Sequence, residues 1–172
     1  MKPVFLTLVA VSIVLFACGQ QDKSKRASPP AKVTQKLSDG TTISIDYSQP
    51  SLKGRTPGKD VDPMEGKVWR AGANEATVFE ADNEVKIQGQ PLAAGKYALF
   101  MLAEPGEWTI IFNKKWDQWG TQYEKNKDQD VLKVKVKPGM TESSIEKLTY
   151  EINKDGIVSL LWANMKIDFK VN

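Results

Sequence analysis

PLAAGKYALF, residues 91–100, is the stretch that decides the fold. A proline and a glycine precede a run in which Tyr97, Leu99 and Met101 point one way and Ala98, Phe100 and Leu102 the other. A strand apolar on both faces must be covered on both, so this one is central. Tyr97 stands where Greek-key sandwiches place a tyrosine corner, whose hydroxyl bonds back to the backbone a few residues upstream. Glu104-Pro105-Gly106-Glu107 is a tight turn, so Lys96–Ala103 and Trp108–Asn113 form a hairpin.

Outward from this hairpin the pattern is strand after strand. Thr41–Ser48 alternates, with Ile43, Ile45 and Tyr47 on one face, and Ser38-Asp39-Gly40 turns it back on Lys32–Leu37. Ser51–Glu65 is rich in Gly, Pro and charge and reads as a long loop. Its acids carry no EF-hand pattern, and Asp62-Pro63 reads as turn chemistry. Lys67–Arg70, Ala76–Ala81 and Glu84–Gln88 are short strands. Lys114–Asp130 is polar and strand-poor, and its Trp116, Trp119 and Tyr123 suit a lid pinned to the core or a stacking platform. Val131–Lys137 alternates, so Lys133, Lys135 and Lys137 form a solvated strand face. Ile145–Asn153, Gly156–Ala163 and Met165–Val171 finish the chain; no convincing helix appears, although Met140–Lys147 has room for a single turn. The fold class is all-β: one antiparallel β-sandwich, Greek-key or jelly-roll-like, of about ten strands.

The chain has 172 residues, no histidine and one cysteine. Without histidine there is no Ser-His-Asp or Cys-His catalysis and no imidazole metal site, and no metal or other cofactor is expected. One cysteine allows no intrachain disulfide. A net charge of +3 without a basic stripe gives no case for nucleic acid. Lys2 precedes an apolar run from Val4 to Ala17, too short to span a bilayer comfortably and suited to a signal peptide. Leu15-Phe16-Ala17-Cys18 resembles a bacterial lipobox, so lipidated Cys18 is the expected membrane link. Residues 1–17 are then a lipoprotein signal peptide, 18–31 a lipidated cysteine with a flexible tether, and 32–172 the domain. A tether of about 13 residues reaches roughly 40 Å when extended. The expected address is the bacterial cell envelope, outer membrane ahead of inner, facing periplasm or cell surface. The oligomeric state is open.

Gly66–Thr77, GKVWRAGANEAT, concentrates the chemistry. An Arg70–Glu75 pair beside Trp69 is costly to bury unless each charge finds partners. Asn74 tolerates the left-handed backbone a turn at Ala71–Asn74 needs.

Together with YSQPSLKGR (Tyr47–Arg55), GKYALF (Gly95–Phe100), WTIIFN (Trp108–Asn113) and Trp119-Gly120, this stretch resembles the DUF2911 family. The resemblance runs from about Ser28 to the C-terminus and implies a bacterial exported or lipid-anchored domain of unknown function. It supplies no mechanism. The residues leave three readings open. In the first, Tyr47, Lys53, Arg55, Trp69, Arg70, Asn74, Glu75, Lys96 and Trp119 converge as a non-catalytic binding site. There the guanidinium forks take a small acid or an anionic saccharide, and an indole stacks a sugar ring. In the second, the cluster is a structural network in an envelope scaffold or protein-interaction domain. The third is a His-independent carbohydrate-active enzyme, a lyase or a hydrolase, with Glu75, a lysine or Tyr47 moving the proton.

Overall fold

The computed structural model describes residues 22–172; the expected signal peptide, Cys18 and the first tether residues lie outside them. Eleven strands follow one another: β1 Pro30–Lys36, β2 Thr42–Ser48, β3 Val68–Trp69, β4 Thr77–Ala81, β5 Val85–Ile87, β6 Gln90–Leu92, β7 Gly95–Glu104, β8 Glu107–Asn113, β9 Asp130–Val136, β10 Gly139–Ile152 and β11 Ile157–Lys170. A short helix, α1 Tyr123–Asn126, lies between β8 and β9. The large sheet runs β1-β2-β4-β7-β8-β9, with β3 also on β7. Every pairing between named strands is antiparallel.

The inner face of this sheet packs on the long β10–β11 hairpin. Ile43, Ile45, Leu99, Met101 and Ile110 meet Leu148, Leu160, Trp162 and Ile167 in one core. Phe112 joins the layers, edge-on to Phe79 at 5.3 Å and to Phe169 at 6.2 Å. Strand β7 is buried on both faces from Tyr97 to Met101, as its apolar run demands. The Tyr97 hydroxyl donates to the Ala93 carbonyl at 2.9 Å and forms the expected corner.

Two local expectations change. Met140–Lys147 is strand throughout and not the single turn it had room for: Met140 and Ile145 pair with β11, and Glu146 and Lys147 take backbone partners from Ser51 and Leu52. Gly156–Ala163 and Met165–Val171 merge into one strand, which bends where Ala163 takes φ +51°.

The outer face is covered in part by the segment between β8 and β9. Tyr123 lies on Phe100, centroids 4.8 Å apart, and its hydroxyl donates to Asp130 Oδ2 at 2.7 Å. Buried Asn113 donates to the Asn126 carbonyl and to Asp130 Oδ1, which pins the segment at its base. Tyr123 is thus the pin of a lid, while Trp116 and Trp119 remain exposed.

At the other end of the chain, residues expected in the tether lie against the domain. Pro30 already begins β1, and the Pro29 carbonyl accepts the Gln49 N–H at 2.8 Å.

Candidate functional site

The motif GKVWRAGANEAT is a strand with an excursion in it. Both β3 and β4 pair antiparallel with β7, Trp69 opposite Met101 and Thr77 opposite Leu99. Residues 70–76 loop out of the sheet between those two registers. Ala71 and Asn74 take φ +51° and +58° to make the loop. Asparagine visits that region readily and alanine does not, so Ala71 needs outside support. Its carbonyl receives it from the Thr77 hydroxyl at 3.0 Å and the Tyr150 hydroxyl at 2.9 Å, both buried. The Trp69 indole donates to the Gly72 carbonyl at 3.0 Å. A Cβ on Gly72 would stand 2.8 Å from Thr77 Oγ1, so the close approach requires glycine.

The far rim of the excursion is stitched to the lid. Ala76 N–H donates to the Gln118 carbonyl at 3.1 Å, and Gly120 N–H to the Asn74 carbonyl at 3.1 Å. A Cβ on Gly120 would collide with Arg70 Cδ. The glycine of Trp119-Gly120 therefore gives the arginine stem its path. Two stretches distant in sequence are one device.

The expected Arg70–Glu75 pair does not form. The excursion sends the two side chains to opposite flanks. Glu75 binds Arg26 Nη1 through both oxygens at 2.9 Å and Lys23 Nζ at 3.0 Å. The Asn74 amide adds a bond to the Ser28 carbonyl at 3.0 Å. These contacts fasten the N-terminal segment to the domain. Arg70 faces Asp62 Oδ2 at 3.6 Å and the Asn74 carbonyl at 3.4 Å, both long.

Partial burial pushes the Glu75 carboxyl up, but the Arg26 and Lys23 bonds outweigh it and hold it at about 2, below its ordinary 4.5. A depressed carboxyl stabilises the fold above its unfolded value and loses that contribution as pH falls through the folded one. Glu75→Gln is therefore expected to cost about 1 kcal/mol near pH 6, the full shift being discounted for solvent screening of this partly exposed group. Denaturant titrations from pH 7 to pH 2 should show the gap from wild type closing between about 4.5 and about 2.

Two hollows flank the excursion. On the inner flank a cleft of about 240 Å³ is lined by Arg55, Asp62, Trp69, Arg70 and Trp162 among others. Arg55 spends Nε on the Leu52 carbonyl and Nη2 on the Ser51 carbonyl, and its Nη1 has no hydrogen bond among the described residues. The Trp162 indole donates to the Asp62 carbonyl at 3.1 Å and so ties the 51–65 loop over the core. Trp69 lines this cleft, but its ring is core, 2% exposed, and offers no open face to a sugar. On the outer flank a hollow of about 160 Å³ lies among Lys23, Arg26, Asp46, Tyr47 and Glu75. Burial raises the Tyr47 hydroxyl above its ordinary range; it accepts the Tyr150 N–H at 3.4 Å. Asp46 is engaged by Lys32 at 2.8 Å.

The nine candidates are thus divided. Arg55, Arg70 and the edge of Trp69 share the cleft, and Tyr47 and Glu75 the outer hollow. Asn74 is the turn between them. Lys53 is exposed in its loop, with its backbone N–H on Glu146. Lys96 lies 3.6 Å from Glu80 and 5.2 Å over the Trp116 ring. Trp119 is exposed on the lid. Sequence reasoning missed Lys23, Arg26, Asp62 and Trp162 as partners of the cluster. Asp62 had a signal, being the acid of the long loop before Arg70; Arg26 sits in a polar stretch without periodicity and had none. Among the described residues no acidic group gathers into a metal-sized cluster.

Fold and site together define an antiparallel β-sandwich domain whose interrupted strand carries an arginine-lined cleft. The chain belongs to the family described as Protein of unknown function (DUF2911), which matches residues 28–171. That match begins after Lys23 and Arg26. No curated protein matches the chain, and no solved structure does.

Proposed function

We propose that the protein is a lipid-anchored envelope protein whose domain binds a small carboxylate-bearing ligand in the Arg55–Arg70 cleft, a free acid or an acidic sugar. One observation carries this reading. Arg70 is a half-buried guanidinium at an open cleft, and its nearest acceptors stand at 3.4 and 3.6 Å. A guanidinium so placed is held in position and incompletely used, and its fork matches a carboxylate. With Arg55 beside it and Asp62 as the one acid lining the cleft, the local balance favours a monoanion. The absence of an open indole face in the cleft favours an acid group over ring stacking.

The test is a titration of acetate, succinate and glucuronate followed by amide chemical shifts, with Arg70→Ala beside the wild type. Arg70→Ala is expected to weaken binding about tenfold or more, while unfolding free energy changes by no more than about 1 kcal/mol. No shifts at millimolar ligand, or equal binding by both proteins, would overturn the reading.

A scaffold is the second reading, and the outer flank favours it. There Glu75 pairs with Lys23 and Arg26, and Asp46 with Lys32, in closed contacts. The catalytic reading draws less support. A carboxyl held at about 2 is no general acid near neutral pH, and burial of the Tyr47 hydroxyl opposes its ionisation.

A further inference from the structure

We infer that the outer face around Trp116, Trp119 and the docked N-terminal segment is a membrane-contacting face, seated in the headgroup layer of the bilayer that holds Cys18. The inference rests on the lipid anchor proposed above.

The first observation is length. An extended tether of about 13 residues reaches roughly 40 Å, but the chain already docks on the domain just after Asp22. From there Lys23 and Arg26 are clamped on Glu75, and the Ser28 carbonyl on Asn74. Four residue steps separate Cys18 from Asp22, a span of at most about 14 Å. A domain tied that closely cannot stand clear of the surface.

The second observation is what lies beside the exit. Trp119 forms a backbone bridge with Glu75, the residue that clamps the segment. Trp119 is 44% and Trp116 43% exposed, while Trp69, Trp108 and Trp162 are buried. Exposed indoles are costly in water and favourable at the headgroup level, where the ring is half apolar and its N–H finds acceptors. Lys96 lies over Trp116 on the same outer face, and Lys25 and Lys114 are exposed with no ion pair among the described residues. Such cations suit anionic headgroups. The short chain to Cys18 and the exposed Trp119 thus meet at the Glu75 clamp.

The experiment uses the full chain purified from bacterial membranes, with the mass of its N-terminal peptide reporting acylation of Cys18. It is reconstituted into phosphatidylethanolamine–phosphatidylglycerol vesicles with or without bromine at shallow acyl carbons. Bromine quenches only indoles at the bilayer. The wild type is expected to lose up to roughly two-fifths of its emission, the share of two tryptophans among five. Trp116→Phe/Trp119→Phe, which alters exposed positions only, should lose almost none. Acylated Cys18 without quenching overturns the docked face and leaves the anchor standing. Unmodified Cys18 overturns both. Quenching that persists in the double variant places the contact elsewhere and overturns the assignment. A blue shift that needs no lipid and grows with protein concentration assigns the face to a second copy of the chain and equally overturns it.

Discussion

Trp162→Ala is expected to lower the unfolding free energy by about 3–5 kcal/mol, read as a shift of the denaturation midpoint at unchanged slope. The ring is 1% exposed and fills the space between β11 and the large sheet. Its removal subtracts apolar burial and leaves a cavity that the two sheet layers can close only in part. A second effect separates the roles of the side chain. Trp162→Phe keeps most of the volume but leaves the Asp62 carbonyl without its donor. That variant should cost about 1–2 kcal/mol. It should also loosen the 51–65 loop and weaken any ligand held between Asp62 and Arg70. If Trp162→Phe is as damaging as Trp162→Ala, the hydrogen bond matters more than the packing.

Gly156→Ala has the second largest expected effect, about 2–4 kcal/mol of destabilisation by chemical denaturation. Gly156 closes the β10–β11 hairpin at φ +80°, and a Cβ there would meet the Val171 carbonyl oxygen. That oxygen is backbone and cannot rotate away. Val171 is held by its own N–H bond to the Gly156 carbonyl at 2.8 Å, and Asn172 is tied to Lys86 of β5. The substitution must part the hairpin turn from the C-terminus. Gly106 in the β7–β8 turn supplies the comparison: its φ is +77°, yet nothing stands within 4 Å of an added Cβ. Gly106→Ala should therefore cost only the left-handed backbone penalty, about 1–2 kcal/mol. The difference between the two variants measures the steric part alone.

Much of the fold was legible because its strands are patterned locally. Alternation in Thr42–Ser48, the two-faced run of β7, the turn glycines and the tyrosine corner each follow from neighbours a few residues apart. The β10–β11 hairpin was legible at its turn but not along its length. Whether Met140–Lys147 curls or extends depends on a partner strand, and no local pattern records that partner.

The site was legible as a composition and not as an arrangement. The residues of Gly66–Thr77 marked the place, and the turn at Asn74 was readable from its tolerance of positive φ. That Arg70 and Glu75 part company was not readable. The excursion from β7 sends one to each flank, and the partners they meet, Asp62, Lys23 and Arg26, come from other segments. By itself, then, the sequence determined an all-β domain, most of its strands and the stretch where its polar groups concentrate, because those depend on periodicity and turn chemistry. Only the tertiary structure decided which charges pair, which indoles are core and which arginine is left at an open cleft. Such pairings depend on distances across the sandwich, and these follow from how the layers pack.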